Sequence, residues 1–252
     1  MKTDRRNTRS SWIAIAALIV IVVLSSVLLI THLRSRLKSP AATSSTSSVN
    51  QPGKQNPLLR SFNGCPAEGD GGDPDLNRLK NRVDEGKYLE LAFDEMEKLE
   101  WPKTIERRKR VDWSAVDTAT VSQFEGNPVS VEGYVASARQ EGPESPNCHG
   151  ADGTLKDFHI WLTKNAGEDR SQSIVVEMTP ALRAQHPQWT TRLLGRIARE
   201  KNLVRVSGWL LLDPEHPDQV GKTRVTIWEI HPIMRFEVEQ NGAWIALDQL
   251  AD

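Results

Sequence analysis

This chain is poor in the residue patterns that announce familiar chemistry. Its 252 residues include two cysteines, Cys65 and Cys148, and no C-x-x-C pair, so neither a zinc knuckle nor a dithiol redox motif can be read from it. H-E-x-x-H is absent, and with it the sequence case for a zincin-type protease. G-x-S-x-G is absent too, which removes the serine-hydrolase elbow. The acidic loop "GCPAEGDGGDPD" (64–75) lacks the alternating ligand register and closing Glu of a calcium-binding EF-hand. No internal repeat appears, which argues against solenoids and propellers.

Acidic residues are nearly missing from one end. Residues 1–60 carry nine Lys or Arg and a single acid, Asp4. Subtracting these from the 32 basic and 33 acidic residues of the whole chain leaves 23 and 32, a body of formal charge about −9. A body of that sign is a poor counterion for phosphates, so nucleic acid is disfavoured as a partner.

The uneven charge has a counterpart in hydropathy. "WIAIAALIVIVVLSSVLLI" (12–30) is uncharged over nineteen residues. At 1.5 Å per helical residue this nearly spans a bilayer core of roughly 30 Å. It exceeds the apolar stretch of a cleaved signal peptide, and no A-x-A follows it directly. The spacing predicts a basic tail over 1–11, a transmembrane helix over 12–33 that contacts the lipid bilayer, and a Ser/Thr/Pro-rich disordered linker over 34–60. Four basic residues precede the span and three follow it. The expected arrangement is an N-terminus in the cytoplasm and a C-terminal domain outside the inner or plasma membrane. In that compartment Cys65 and Cys148 can pair as a disulfide; two free thiols, or one thiolate ligand, are the alternatives.

Residues 61–127 read as a helical extension, with an N-cap at Asp75, helices over 76–82 and 86–100, and a stop at Trp101-Pro102. The cluster "IERRKR" (105–110) reads as a solvated face or as partners for acidic neighbours. From residue 128 the period changes to two. "PVSVEGYV", "DFHIWLT", "SIVVEMT", "LVRVSGWLLLD" and "TRVTIWEIHPIMRFEV" are five strand candidates. A helical stripe of Trp189, Leu193, Leu194 and Ile197 lies between the third and fourth. That order predicts an OB-like five-stranded Greek-key barrel over 128–252, a mainly β domain with helices; an open α+β sheet is the alternative.

The stretches "LNRLKNR", "NCHG", "DFHIWL", "VVEMTP", "VRVSGWLLLDPEHP" and "IWEIHPIMRFEV" together resemble a family of uncharacterised bacterial exported or membrane-anchored proteins, from about Gly64 to Val238. The resemblance implies a shared fold and export. It carries over no catalytic residue and no activity.

Candidate chemistry therefore rests on the residues. OB barrels bind ligands over strands 2–3 and the loops joining strands 1–2 and 4–5. Here those positions offer Tyr134, His159, Trp161, Glu177 and His216 as ligand contacts. A zinc or copper ion would find candidate ligands in Cys148, His149, His159 and His216, although adjacent Cys148 and His149 make a poor spacing. Two readings of function follow. The first is a non-enzymatic binding or assembly module of the envelope, with an envelope protein or a small ligand as partner. The second is a metal-dependent hydrolase at the Cys148/His149/His159/His216 rim; a single-strand-binding OB domain is a weaker third. Glu229 and His231, two apart in the last strand, read as a structural pair. Counting an extended strand from Thr223 places His231 about 26 Å from the preceding loop, away from that rim.

Overall fold

The computed structural model describes residues 57–250. The expected basic tail, membrane span and most of the linker lie outside them. Among the described residues no helix is long and apolar enough to cross a membrane.

The period-two segments form strands β2 (Pro128–Gln140), β3 (Phe158–Thr163), β4 (Ser173–Met178), β5 (Leu203–Leu212) and β6 (Trp228–Gln240). They are joined in the order β2-β3-β4-β6-β5, and β5 pairs back to β2. The barrel is thus closed with five strands, and the open-sheet alternative falls. Its only parallel pair is β4 with β6. β2 belongs to both halves: Pro128–Tyr134 pairs with β5 and Tyr134–Gln140 with β3, across a register shift near Ala136. A short β1 (Leu89–Glu90) runs parallel to the start of β2 and covers the edge that β3 leaves free. β7 (Ala243–Ala246) forms a hairpin with β6 through Asn241 and Gly242, both left-handed at φ 54° and 83°.

Cross-strand pairing separates the two faces. Ile160 pairs with Val176, Val176 with Ile230, and Ile230 with Leu210. Further along, Val206 pairs with both Val131 and Phe236. All of these are apolar and essentially inaccessible; they fill the interior, and the hydrophobic effect holds it shut. On the other face Arg205 pairs with Glu132 and Glu237, partly in solvent. β5 and β6 approach closely at Gly208, where a Cβ would sit 2.3 Å from the Pro232 carbonyl oxygen. The β5–β6 register shifts there, as a proline without a ladder donor requires.

Helix α1 (Pro74–Lys80) starts two residues earlier than an N-cap at Asp75 implies. Asp73 is the cap, accepting from the Asp75 and Leu76 amides, because Pro74 suits the first helical position. The helix expected over 86–100 shrinks to α2 (Phe93–Glu97), since Leu89 pairs with β2 instead; strand pairing overrides helical spacing. After α3 (Ala115–Val121) and the single turn α4 (Pro180–Arg183), α5 (Thr191–Glu200) buries Leu193, Leu194 and Ile197 and packs on β2. Two residues of the basic cluster have acidic partners: Arg107 meets Asp218 at 2.6 Å and Arg110 meets Glu125 at 2.5 Å.

Candidate functional site

Because the interior of the barrel is apolar, every charged side chain on β3, β4 and β6 must look outward. His159 and Glu177 are direct cross-strand partners. Glu229 lies opposite Val175 and Leu211 on the same outer face, and His231 follows two residues on. This face is nevertheless covered, for Glu229 and His231 are both 0% exposed. The cover is built from three pieces. Helix α1 contributes Lys80. The loop from Glu141 to Asp157 folds back over the sheet. The β5–β6 loop brings Asp213 and Arg224.

Cys65 and Cys148 are joined as a disulfide, which clamps the β2–β3 loop to the segment before α1. Hydrogen bonds from the Asp70 amide to the Ser145 carbonyl and from the Asn81 side chain to the Pro146 carbonyl, at 2.9 and 2.8 Å, hold the same contact. Beneath this cover is a cleft of about 680 Å³. A smaller cavity of about 290 Å³ beside the disulfide contains no titratable side chain except Arg60.

The cleft gathers His149, His159, Trp161, Glu177 and His216, all anticipated from the sequence. Tyr134 is not among them. It lies opposite Thr163, at the far end of β3 from His159, and Arg139 takes the place opposite His159. Trp161 is not a free stacking platform, because the His159 ring lies 4.2 Å from it and the Arg170 guanidinium 3.7 Å. Cys148 offers no thiolate, since its sulfur is in the disulfide. His149 is 2.9 Å from the Asp70 carbonyl oxygen. The distance argument for His231 also fails: its Nδ1 stands 3.4 Å from the Glu177 carboxylate. The strand begins only at Trp228, and Arg224 turns back to bond Glu229 at 2.5 Å.

Comparison with known proteins found no matching family model, curated protein or solved structure. The site is therefore read from its own electrostatics.

Two buried ion pairs are complete. Lys80 meets Asp213 at 3.2 Å and Arg224 meets Glu229 at 2.5 Å. Burial works against Lys80's charge, but Asp213, Glu177 and Glu229 together hold its pKa well above the ordinary value. Burial likewise opposes the Glu229 charge, and Arg224 overcomes it, so that carboxyl is strongly acidic. Glu177 and Asp157 have no such partner. Burial and the neighbouring Glu229 push Glu177 far up. Burial pushes Asp157 up to about 6, with His231 as the main opposing influence. His159 Nδ1 lies 3.2 Å from Glu141 and 3.3 Å from Glu177; burial lowers its pKa against the pull of Glu141. Glu141 in turn is held down at about 2, because hydrogen bonds from His159 and Arg139 outweigh burial.

Several cleft residues were not anticipated: Lys80, Arg139, Glu141, Arg170, Asp213's pairing and Arg224. For Lys80 a signal existed. It stands four residues after Leu76, on the buried side of α1 with Leu76 and Asn77, where a lysine needs a buried partner.

Proposed function

We propose that this chain is a membrane-anchored, extracytoplasmic binding module whose ligand is a small molecule carrying a carboxylate or phosphate, held in the cleft on the outer face of β3, β4 and β6. The barrel is read as OB-like: a closed order β2-β3-β4-β6-β5 with α5 between the third and fourth strands is that Greek key. The cleft then corresponds to the strand 2–3 face and its two flanking loops, where OB barrels take ligands.

The observation that carries the reading is Arg170. Lys80, Arg139 and Arg224 each face a carboxylate in an ion pair. Arg170 lines the same cleft, rests on Trp161, forms no ion pair among the described residues, and leaves its buried Nε without a hydrogen-bond partner. A guanidinium fixed against an aromatic face with no resident anion is a preorganised anion anchor. Perturbed carboxyls beside it fit a binding or reaction site better than inert packing.

The test is a thermal-shift panel on the full chain in detergent, using inorganic phosphate, pyrophosphate and a series of dicarboxylates. At least one should raise the melting temperature, and Arg170→Ala should abolish the gain while leaving the unliganded melting temperature nearly unchanged. An equal rise in both proteins, or none across the panel, would overturn the proposal. Protection of the body from external protease in intact cells would overturn the extracytoplasmic placement.

A further inference from the structure

We propose that Asp157, Glu177 and His231 form a site for one divalent transition-metal ion of the zinc or manganese class, buried under the floor of the cleft. One ligand atom from each of the three lies within 4.8 Å of the others. A bound ion with ligand distances of about 2.0–2.2 Å would draw them in by roughly 1 Å. The donor set, one imidazole and two carboxylates, suits zinc or manganese better than calcium or magnesium, whose sites are built of oxygen.

The second observation is hydrogen bonding. Buried polar groups are almost always satisfied. Yet both carboxylate oxygens of Asp157 and both ring nitrogens of His231 are buried without a hydrogen-bond partner. These side chains are 1% and 0% exposed, and leaving such groups unmet is destabilising. His231 Nδ1 stands 3.4 Å from Glu177 and 3.7 Å from Glu229 and forms a hydrogen bond to neither.

The third is charge. Four carboxylates are buried here: Asp157, Glu177, Asp213 and Glu229. Lys80 and Arg224 neutralise Asp213 and Glu229. Arg183, which interacts electrostatically with Asp157, donates to the Lys156 carbonyl and lies over the Phe158 ring. Two carboxylates therefore remain without a fixed cation, and an ion of charge +2 balances them. Three protein ligands leave coordination positions for water or a ligand, and Glu177, which also lines the cleft, marks the way in. The other acid–histidine trio, Asp213, Glu215 and His216, lacks this logic, because Asp213 is already spent on Lys80 and on the Glu215 amide.

This inference does not need an anion at Arg170, so either can fail alone. The untagged full chain is stripped with chelator and titrated with zinc and with manganese chloride, with metal content and melting temperature as readouts. One equivalent should bind and raise the melting temperature. Asp157→Asn and His231→Gln should each weaken binding more than about 100-fold, beyond the loss expected from an outer partner, whereas His216→Ala should bind normally. X-ray absorption of the zinc-loaded wild-type chain reads the ligands even if a variant fails to fold: one imidazole with oxygens is expected. Absence of stoichiometric metal, a shell with sulfur or without imidazole, or loss in His216→Ala with retention in Asp157→Asn would overturn the proposal.

Discussion

Where β3, β4 and the first residues of β6 meet, the two faces come from the same strands and are both buried, yet they are stabilised in opposite ways. The inner face is closed by apolar side chains that need no particular partner: Ile160, Val176 and Ile230 exclude water by being packed. The outer face is closed by a roof, and the charges beneath it depend on exact pairing. Burial of a charged face is costly unless each charge is matched, so the first face can be built by pattern while the second must be built by geometry.

The largest effect should come from breaking a match on the outer face. Arg224→Ala leaves Glu229 buried and alone, and urea denaturation should show a loss of about 3–5 kcal/mol. Replacing the pair together, as Arg224→Met with Glu229→Leu, should recover most of that loss. If the single variant is harmless, the faces do not differ as argued.

On the inner face, Ile160→Ala should cost about 2–5 kcal/mol by leaving a cavity. That loss should be nearly independent of pH between 5 and 8, in contrast to variants of the outer face, and denaturation at several pH values checks this. The roof comes next. Cys65→Ser with Cys148→Ser releases a link between residues 83 apart and should cost about 2–4 kcal/mol. Amide exchange should rise in residues 144–149 but not in β3 or β4; uniform acceleration would mean that the disulfide braces the barrel and not the roof.

The smallest effect concerns Glu141. Its native pKa of about 2 lies below the ordinary carboxyl value. The unfolded chain therefore binds its proton first as pH falls, and the stability Glu141 contributes is complete above about pH 4.5 and is lost as pH drops through 2. Glu141→Gln should flatten that part of the acid-unfolding curve.

Much of the barrel was legible because period-two alternation records which side chains face one another, whatever the rest of the chain does. "DFHIWLT" and "SIVVEMT" both became strands with Ile160 and Val176 facing inward, and the stripe Trp189–Ile197 became α5's buried side. The hairpin to β7 has its own signal in Asn241-Gly242. Helical spacing does not place Leu89, because an apolar residue at that spacing says nothing about a free strand edge nearby. Of the candidate site, His149, His159, Glu177 and His216 could be named as lying on or beside the β3–β4 face. Tyr134 could not be excluded, since alternation gives the face but not the position along it.

By itself the sequence determined the alternation of β2 to β6, the helix between β4 and β5, the charge asymmetry and the apolar run at 12–30, because these are properties of neighbours along the chain. Only the tertiary structure decided that Lys80, Asp157, Glu177, Asp213, Arg224, Glu229 and His231 meet. They come from a helix, two loops and two strands up to about 150 residues apart, and their meeting depends on barrel closure and on a roof held by Cys65 and Cys148. A charge's partner, and hence its protonation and its chemistry, is a matter of distance in space, which spacing along the chain does not record.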